Sequence, residues 1–312
     1  MSETLDVRAA TVSRRGTHTS RRNRTKRRFL PLLFVLPALA LYSVFVLLPA
    51  GQTAYLSFFT WDGINQATFN AFDNYVEVAL DPLLRNSILN ALILILFFAG
   101  LPISVGLLIV GLAGRTQLRG MPFFRAIIFL PQVLPMVAIG IIWRWMYEPD
   151  GLVNQALIAM GLGDWTKAWL GDPSWALVAV GLVGTWALTG LCMTLFFAGV
   201  QHIDTQLYDA VELDGGGRGR QFFSVTLPGL MGEIGVALTV TVIAALASFD
   251  VIYVTTNGSP ANLTTVPGLL VYRLAFHSGR VGAASALAIV LMAFVVVVIL
   301  LANRLISKAN DR

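Results

Sequence analysis

Residues 201–230 read QHIDTQLYDAVELDGGGRGRQFFSVTLPGL, a polar island in a chain that is otherwise mostly apolar. Long apolar runs precede and follow it. Asp204 is a good N-cap for a helix from Thr205 onward, because its side-chain oxygen can accept an orphan N–H of the first turn. Ile203 and Tyr208 stand at the two positions of a hydrophobic staple. The spacing predicts one short helix through Leu213, stopped by Asp214-Gly215-Gly216-Gly217. Glycine just past a helix end takes the left-handed cap at low steric cost. A second helical stretch then runs into Leu227-Pro228. On the first helix, Leu207, Val211 and Ala210 form a small apolar patch, flanked by Asp209 and Glu212. An acidic flank argues against lying on the anionic inner leaflet. It suits a knob that docks in a protein groove.

Working outward, the flanking runs are of bilayer length. The chain has 312 residues, 56% hydrophobic and 12% charged, with a mean hydropathy of +0.72. A soluble domain carries about 25% charged residues. A spanning helix needs about 20 apolar residues at 1.5 Å each. Six segments qualify: residues 29–51, 88–112, 126–147, 175–199, 233–256 and 281–303. Pro31, Pro37, Pro102, Pro131 and Pro135 fall inside or at the start of these spans, where neighbouring helices can satisfy the freed carbonyls. The fold class expected is an all-α membrane protein of six transmembrane helices. The polar island then lies between spans four and five.

The basic residues orient it. Nine of the 22 Lys and Arg lie between Arg8 and Arg28. Residues 1–28 therefore read as a basic cytoplasmic tail, expected to be disordered, rather than as a nucleic-acid site. Ala38-Leu39-Ala40 resembles a signal cleavage site, but the apolar run continues to Pro49, too long for a signal peptide. The first segment is kept as an uncleaved span. With the N-terminus inside, 17 of the 22 basic residues are cytoplasmic, and Arg85, Arg144, Lys167, Arg273 and Arg280 are not. This asymmetry follows the positive-inside rule and puts both termini, and residues 201–230, in the cytoplasm. Trp61, Trp143, Trp145, Tyr147, Trp165, Trp169 and Trp175 mark the outer interface as an aromatic belt.

Enzymatic motifs are missing from the sequence. Gly215-Gly216-Gly217-Arg218-Gly219 lacks the Lys-Ser/Thr that holds phosphate and magnesium. One cysteine, Cys192, and three scattered histidines offer no disulfide framework and no metal-ligand spacing. The chain reads as no enzyme, with no catalytic residue, no metal and no cofactor of its own. Any energy source must be a separate chain or an ion gradient. Polar residues inside spans are costly and tend to be functional. Asp250, with Ser248 and Tyr253 nearby, is the sharpest candidate, followed by Trp186, Thr189 and Gly190.

Residues 207–230 resemble the signature loop of inner-membrane permeases in binding-protein-dependent ABC importers. That loop reads E-A-A, three residues, Gly, about nine residues, then I-x-L-P. Asp209-Ala210-Val211, Gly215 and Val225-Thr226-Leu227-Pro228 take these places, with Asp for Glu and Val for the second Ala. Phe123-Phe124-Arg125, Phe129-Leu130-Pro131, Trp143-Arg144-Trp145, residues 149–154 (PDGLVN), Trp186-Ala187-Leu188-Thr189-Gly190, residues 256–260 (TNGSP) and residues 282–286 (GAASA) are similar to its sugar branch, which includes maltose-type, multiple-sugar and glycerol-phosphate permeases. The resemblance covers residues 29–312. It implies a multi-pass permease of a bacterial or archaeal cytoplasmic membrane that imports a carbohydrate-type solute. It implies a second, different permease, two ATPase subunits that bind ATP and magnesium, and an extracytoplasmic solute-binding protein; no nucleic acid enters. It makes residues 205–213 a coupling helix, with Tyr208, Asp209, Ala210, Val211, Asp214, Gly215, Leu227 and Pro228 as ATPase-coupling residues. Trp186 would offer an aromatic face to sugar C–H groups, beside Thr189 and the small Gly190. The alternative class is an ion-coupled secondary transporter of a small polar solute.

Overall fold

The computed structural model describes residues 34–113 and 120–310. The basic tail, Arg115 and Arg119 lie outside the described residues. The chain divides into two compact units, residues 1–52 and 53–312. The described part of the first is the bulk of helix α1 (Phe34–Leu56). It contains a π-helical turn at Ser43–Leu47, and none of its side chains up to Gln52 is buried.

The described residues of the second unit are mostly helical. A two-stranded hairpin, β1 (Phe59–Thr60) and β2 (Thr68–Phe69), leads into α2 (Asp73–Leu80). Asn74 is buried and donates to the carbonyls of Ser57 and Phe59, both at 2.9 Å, so α2 is tied to the hairpin. Arg280 and Glu77 form an ion pair. Next comes α3 (Pro82–Ala113), with a π turn at Leu96–Gly100. It begins six residues before the expected apolar segment, because Asp81 caps the amide of Leu83 at 2.8 Å and Pro82 occupies the first turn. Hydropathy alone misses that turn, since it carries Arg85, Asn86 and Ser87.

The expected third span, residues 126–147, is not one helix. It is α4 (Met121–Val133) and α5 (Met136–Met146), bent by 101°. The residue before a proline is driven out of the helical region by the ring's Cδ. Leu134, before Pro135, accordingly takes φ −80° and ψ 140°. Then come α6 (Leu152–Ala159) and α7 (Ala176–Val200), the straightforward fourth segment. The fifth is again broken. α9 (Arg218–Gly229) and α10 (Met231–Leu246) meet at 66°. α10 stops at Leu246, ten residues before the expected end. Residues 247–249 leave the helix, and α11 (Asp250–Thr255) starts afresh with Asp250 in its first turn, where the helix dipole favours an anion. Asp250 is therefore outside the long helix, not within a fifth span. α12 (Pro267–Tyr272) and α13 (Val281–Asn310) complete the chain. Among the described residues, four helices are long and apolar enough to cross a membrane: α1, α3, α7 and Val281–Ala302 of α13. Six result if each bent pair counts as one span.

α7 is the central post. Leu94, Phe98, Ile139, Val180, Val183, Leu188, Ala245 and Ile252 form one core around its N-terminal half. Met193, Phe196, Val110 and Leu230 form another around its C-terminal half. Between apolar helices in lipid, association depends on close packing at small residues. A Cβ on Gly181 would come to 2.5 Å from the Phe97 ring, and one on Gly106 to 3.1 Å from the Met193 amide. These two glycines set how closely α3 and α7 approach.

Candidate functional site

Helix α8 (Thr205–Leu213) projects between α7 and α9. Asp204 caps it as its residue type leads one to expect, accepting from the Gln206 amide at 2.9 Å. One face is stapled down. Tyr208 is only 6% exposed and shares a 3.1 Å hydrogen bond with Thr226 in α9. Ile203 lies over Gly229, where a Cβ would meet its Cδ1 at 2.6 Å. Both staple residues therefore pack onto α9, ahead of Leu230 and the bend.

The C-terminus of α8 is locked by two hydrogen bonds. The Gly215 amide donates to the Glu212 carbonyl at 2.9 Å, and the Gly216 amide to the Val211 carbonyl at 2.8 Å. This is a Schellman cap, which needs a left-handed residue after the helix. Gly215 supplies it with φ +75°. Gly216 is fixed by space instead: a Cβ there would lie 2.5 Å from Val211 Cγ1. Val211 is thus half covered by its own turn. Leu207, Asp209, Ala210, Glu212, Leu213 and Asp214 are all exposed on α8 and at its end. Leu213 is 90% exposed. The sequence reading passed it over as the last apolar residue before a glycine stop, though it lies three residues after Ala210 and so continues that face. Leu227 is half-buried and Pro228 exposed in α9.

The candidate solute residues divide into separate places. Ser248 is buried, and its hydroxyl has no partner among the described residues. Asp250 is exposed. Tyr253 belongs to an aromatic group that the sequence reading did not assemble. Phe249 and Tyr253 stack at 5.1 Å between ring centroids, and Tyr272 closes on both at 5.3 and 5.1 Å. Phe276 follows Tyr272 at 5.2 Å and is 77% exposed. Within this group aromatic residues stand four apart twice, at 249/253 and 272/276, and that spacing is the signal that could have found its two halves. No Asp or Glu among the described residues is buried.

Trp186 and Thr189 lie elsewhere, on a cavity of about 680 Å³ bounded by α3, α4, α5 and α7. Gly190 does not line it; it is a packing site, since a Cβ would overlap the Ile128 carbonyl and sit 2.8 Å from Phe129 Cα of α4.

The fold and the capped loop can be compared with known proteins. The chain is 36% identical, over 85% of its length and 91% of the other, to "Probable ABC transporter permease protein YurN" of Bacillus subtilis. It is 33% identical to "Diacetylchitobiose uptake system permease protein NgcF" of Streptomyces coelicolor, over 98% of this chain and 92% of that one. It is 34% identical to "Lactose transport system permease protein LacF" of Rhizobium radiobacter, over 78% and 83%. A chain in the crystal structure of a bacterial alginate ABC transporter, in complex with alginate pentasaccharide-bound periplasmic protein, shares the fold with a TM-score of 0.77. It is 22% identical, and the match covers 91% of this chain and 96% of that one. The profile "Binding-protein-dependent transport system inner membrane component" matches residues 108–311, and the chain is a permease component of the binding-protein-dependent transport family.

Proposed function

We propose that this permease imports a carbohydrate-type solute (a sugar, oligosaccharide, polyol or glycerol phosphate) by alternating access driven by a separate ATPase. The observation that carries the reading is α8: it is stapled to α9 on one side and presents a bare, acid-flanked apolar face on the other. An external ATPase groove would receive Leu207, Ala210 and Leu213. Motion would then pass through the Tyr208–Thr226 contact and through Leu227-Pro228 to the bend before α10. Such transmission is a rigid-body, two-state change biased by nucleotide, with ATP and magnesium bound on the partner.

In this reading both termini are cytoplasmic, residues 29–312 form one six-span permease domain, and α8 lies in the cytoplasm. The membrane is the bacterial or archaeal cytoplasmic membrane. The complex holds two ATP-binding subunits, a second and different permease, and a solute-binding protein outside. The names of the relatives, diacetylchitobiose and lactose permeases among them, support a carbohydrate. So does the platform of Phe249, Tyr253, Tyr272 and Phe276, adjoined in sequence by Asp250 and by Ser248, whose hydroxyl has no partner among the described residues, since aromatic faces with polar groups nearby suit sugars. The ion-coupled alternative gains nothing from Asp250, which is exposed. The test is co-purification: disrupting residues 209–215 should release the ATPase and abolish solute-linked ATP hydrolysis. Retention of both would sink the reading.

A further inference from the structure

We infer that the cavity between α3, α4, α5 and α7 is a phospholipid site, with an acyl chain inside it and the phosphate at Lys167. The inference rests on the spans lying in a bilayer, not on which solute is moved. Rings form a ladder along one wall: Trp186 to Trp143 at 5.7 Å, Trp143 to Tyr147 at 5.2 Å, Tyr147 to Trp169 at 6.3 Å and Trp169 to Trp175 at 5.7 Å. Four polar side chains on the wall are already spent, whereas the indole N–H groups of Trp143, Trp175 and Trp186 have no partner among the described residues. Thr185 donates to the Phe97 carbonyl at 2.6 Å, Thr189 to the Thr185 carbonyl at 2.7 Å and Tyr147 to the Ala179 carbonyl at 3.2 Å. The Trp169 indole N–H donates to Asn154 at 2.8 Å. A sugar in this space would meet three indole donors but no carboxylate or carboxamide on the wall, and unpaired buried hydroxyls are expensive. A hydrocarbon chain has no such requirement. The rim is apolar as well, with Ile127, Leu182 and Trp186 each at least 42% exposed.

The ladder ends beneath a positioned cation. The Lys167 ammonium stands 4.8 Å from the Trp175 ring centroid and 5.8 Å from that of Trp169. Its backbone is held by buried Asn154, which donates to the Lys167 carbonyl at 3.0 Å and accepts from its amide. Among the described residues no carboxylate forms an ion pair with it. Tryptophans and a lysine at one level are what a headgroup region selects. An anionic phosphate would complete the charge.

The test uses the assembled transporter. The complex is delipidated in mild detergent, titrated with phosphatidylglycerol or phosphatidylcholine, and read by native mass spectrometry. One tightly held phospholipid is expected per permease chain, with phosphatidylglycerol preferred. Lys167→Gln should weaken phosphatidylglycerol about fivefold, the worth of one lysine near an anionic surface. Leu182→Trp, entering from the exposed rim, should expel both lipids. ATPase co-purification reads α8 and should be unchanged in both variants, which separates this inference from the transport reading. Unaltered lipid retention in both variants overturns it. So does displacement of the lipid by a free sugar, or a cross-link from Leu182→Cys to the second permease, either of which would give the cavity another occupant.

Discussion

Gly215→Ala is the substitution whose outcome separates a coupling element from a surface turn. At φ +75° an alanine Cβ meets the following carbonyl, a strain of about 1–2 kcal/mol. Nothing else stands within 4 Å of that Cβ, so the strain is purely local. The two hydrogen bonds of the Schellman cap depend on this residue, and 1–2 kcal/mol shifts the balance between capped and frayed ends by about 5–30-fold. A groove that accepts only the capped helix then binds more weakly in proportion to the fraction that remains competent. The assay is a pair of measurements on the reconstituted complex: ATPase retained on purification, and solute-stimulated ATP hydrolysis. Gly215→Asn should recover most of both, because asparagine tolerates the left-handed region. Gly217→Ala is the control, with φ −75° and open space around its Cβ, and should behave as wild type. If Gly215→Ala and Gly217→Ala are indistinguishable in both measurements, the cap does not matter to coupling and the reasoning fails.

Other changes test other links. Asp204→Ala removes the cap of α8 and should cost about 1 kcal/mol locally, seen as faster hydrogen exchange at residues 205–208, with Ser largely restoring it. Leu213→Ser should leave the thermal midpoint unchanged, since the side chain is 90% exposed, yet weaken ATPase retention about tenfold or more, the value of one buried leucine. Gly184→Val drives a side chain into the Phe98 ring and should lower the midpoint in detergent by the 1–3 kcal/mol or so typical of overpacking. Tyr253→Ala and Tyr272→Ala should each raise the solute concentration needed for half-maximal transport while ATPase retention stays intact; an unchanged value would remove the aromatic platform from the solute path.

The legible parts of this chain were those encoded locally. Apolar length located α1, α3, α7 and α13, and cap chemistry located α8 nearly to the residue. Apolarity does not encode helix continuity, because backbone that turns inside a bundle is flanked by the same side chains as backbone that spans. Hence residues 126–147 and 233–256 each read as one span although Pro135 and residues 247–249 break them. Pro135 was visible, but nothing in one sequence says whether its neighbours will absorb a kink or a corner. The sites formed by tertiary contact were the least legible. Tyr272 joins Tyr253 only when α12 folds beside α11, and Trp186 meets Trp143 only when α7 lies against α5. Such pairs leave no mark at fixed spacing.

Leu213 has a bearing on how the complex is made. Leu213 is 90% exposed next to a hydrogen-bonded cap, and in the proposed reading the ATPase is the chain that covers it. Under the proposed topology, a permease copy synthesised ahead of its ATPase would advertise its orphan state on the cytoplasmic side, where quality-control proteases operate. The hypothesis predicts matched synthesis of the two subunits and a short lifetime for the unpaired permease. Pulse–chase in cells lacking the ATPase would measure that lifetime, and Leu213→Ser should lengthen it; equal decay of the two forms would show that the exposed leucine is not the degradation signal.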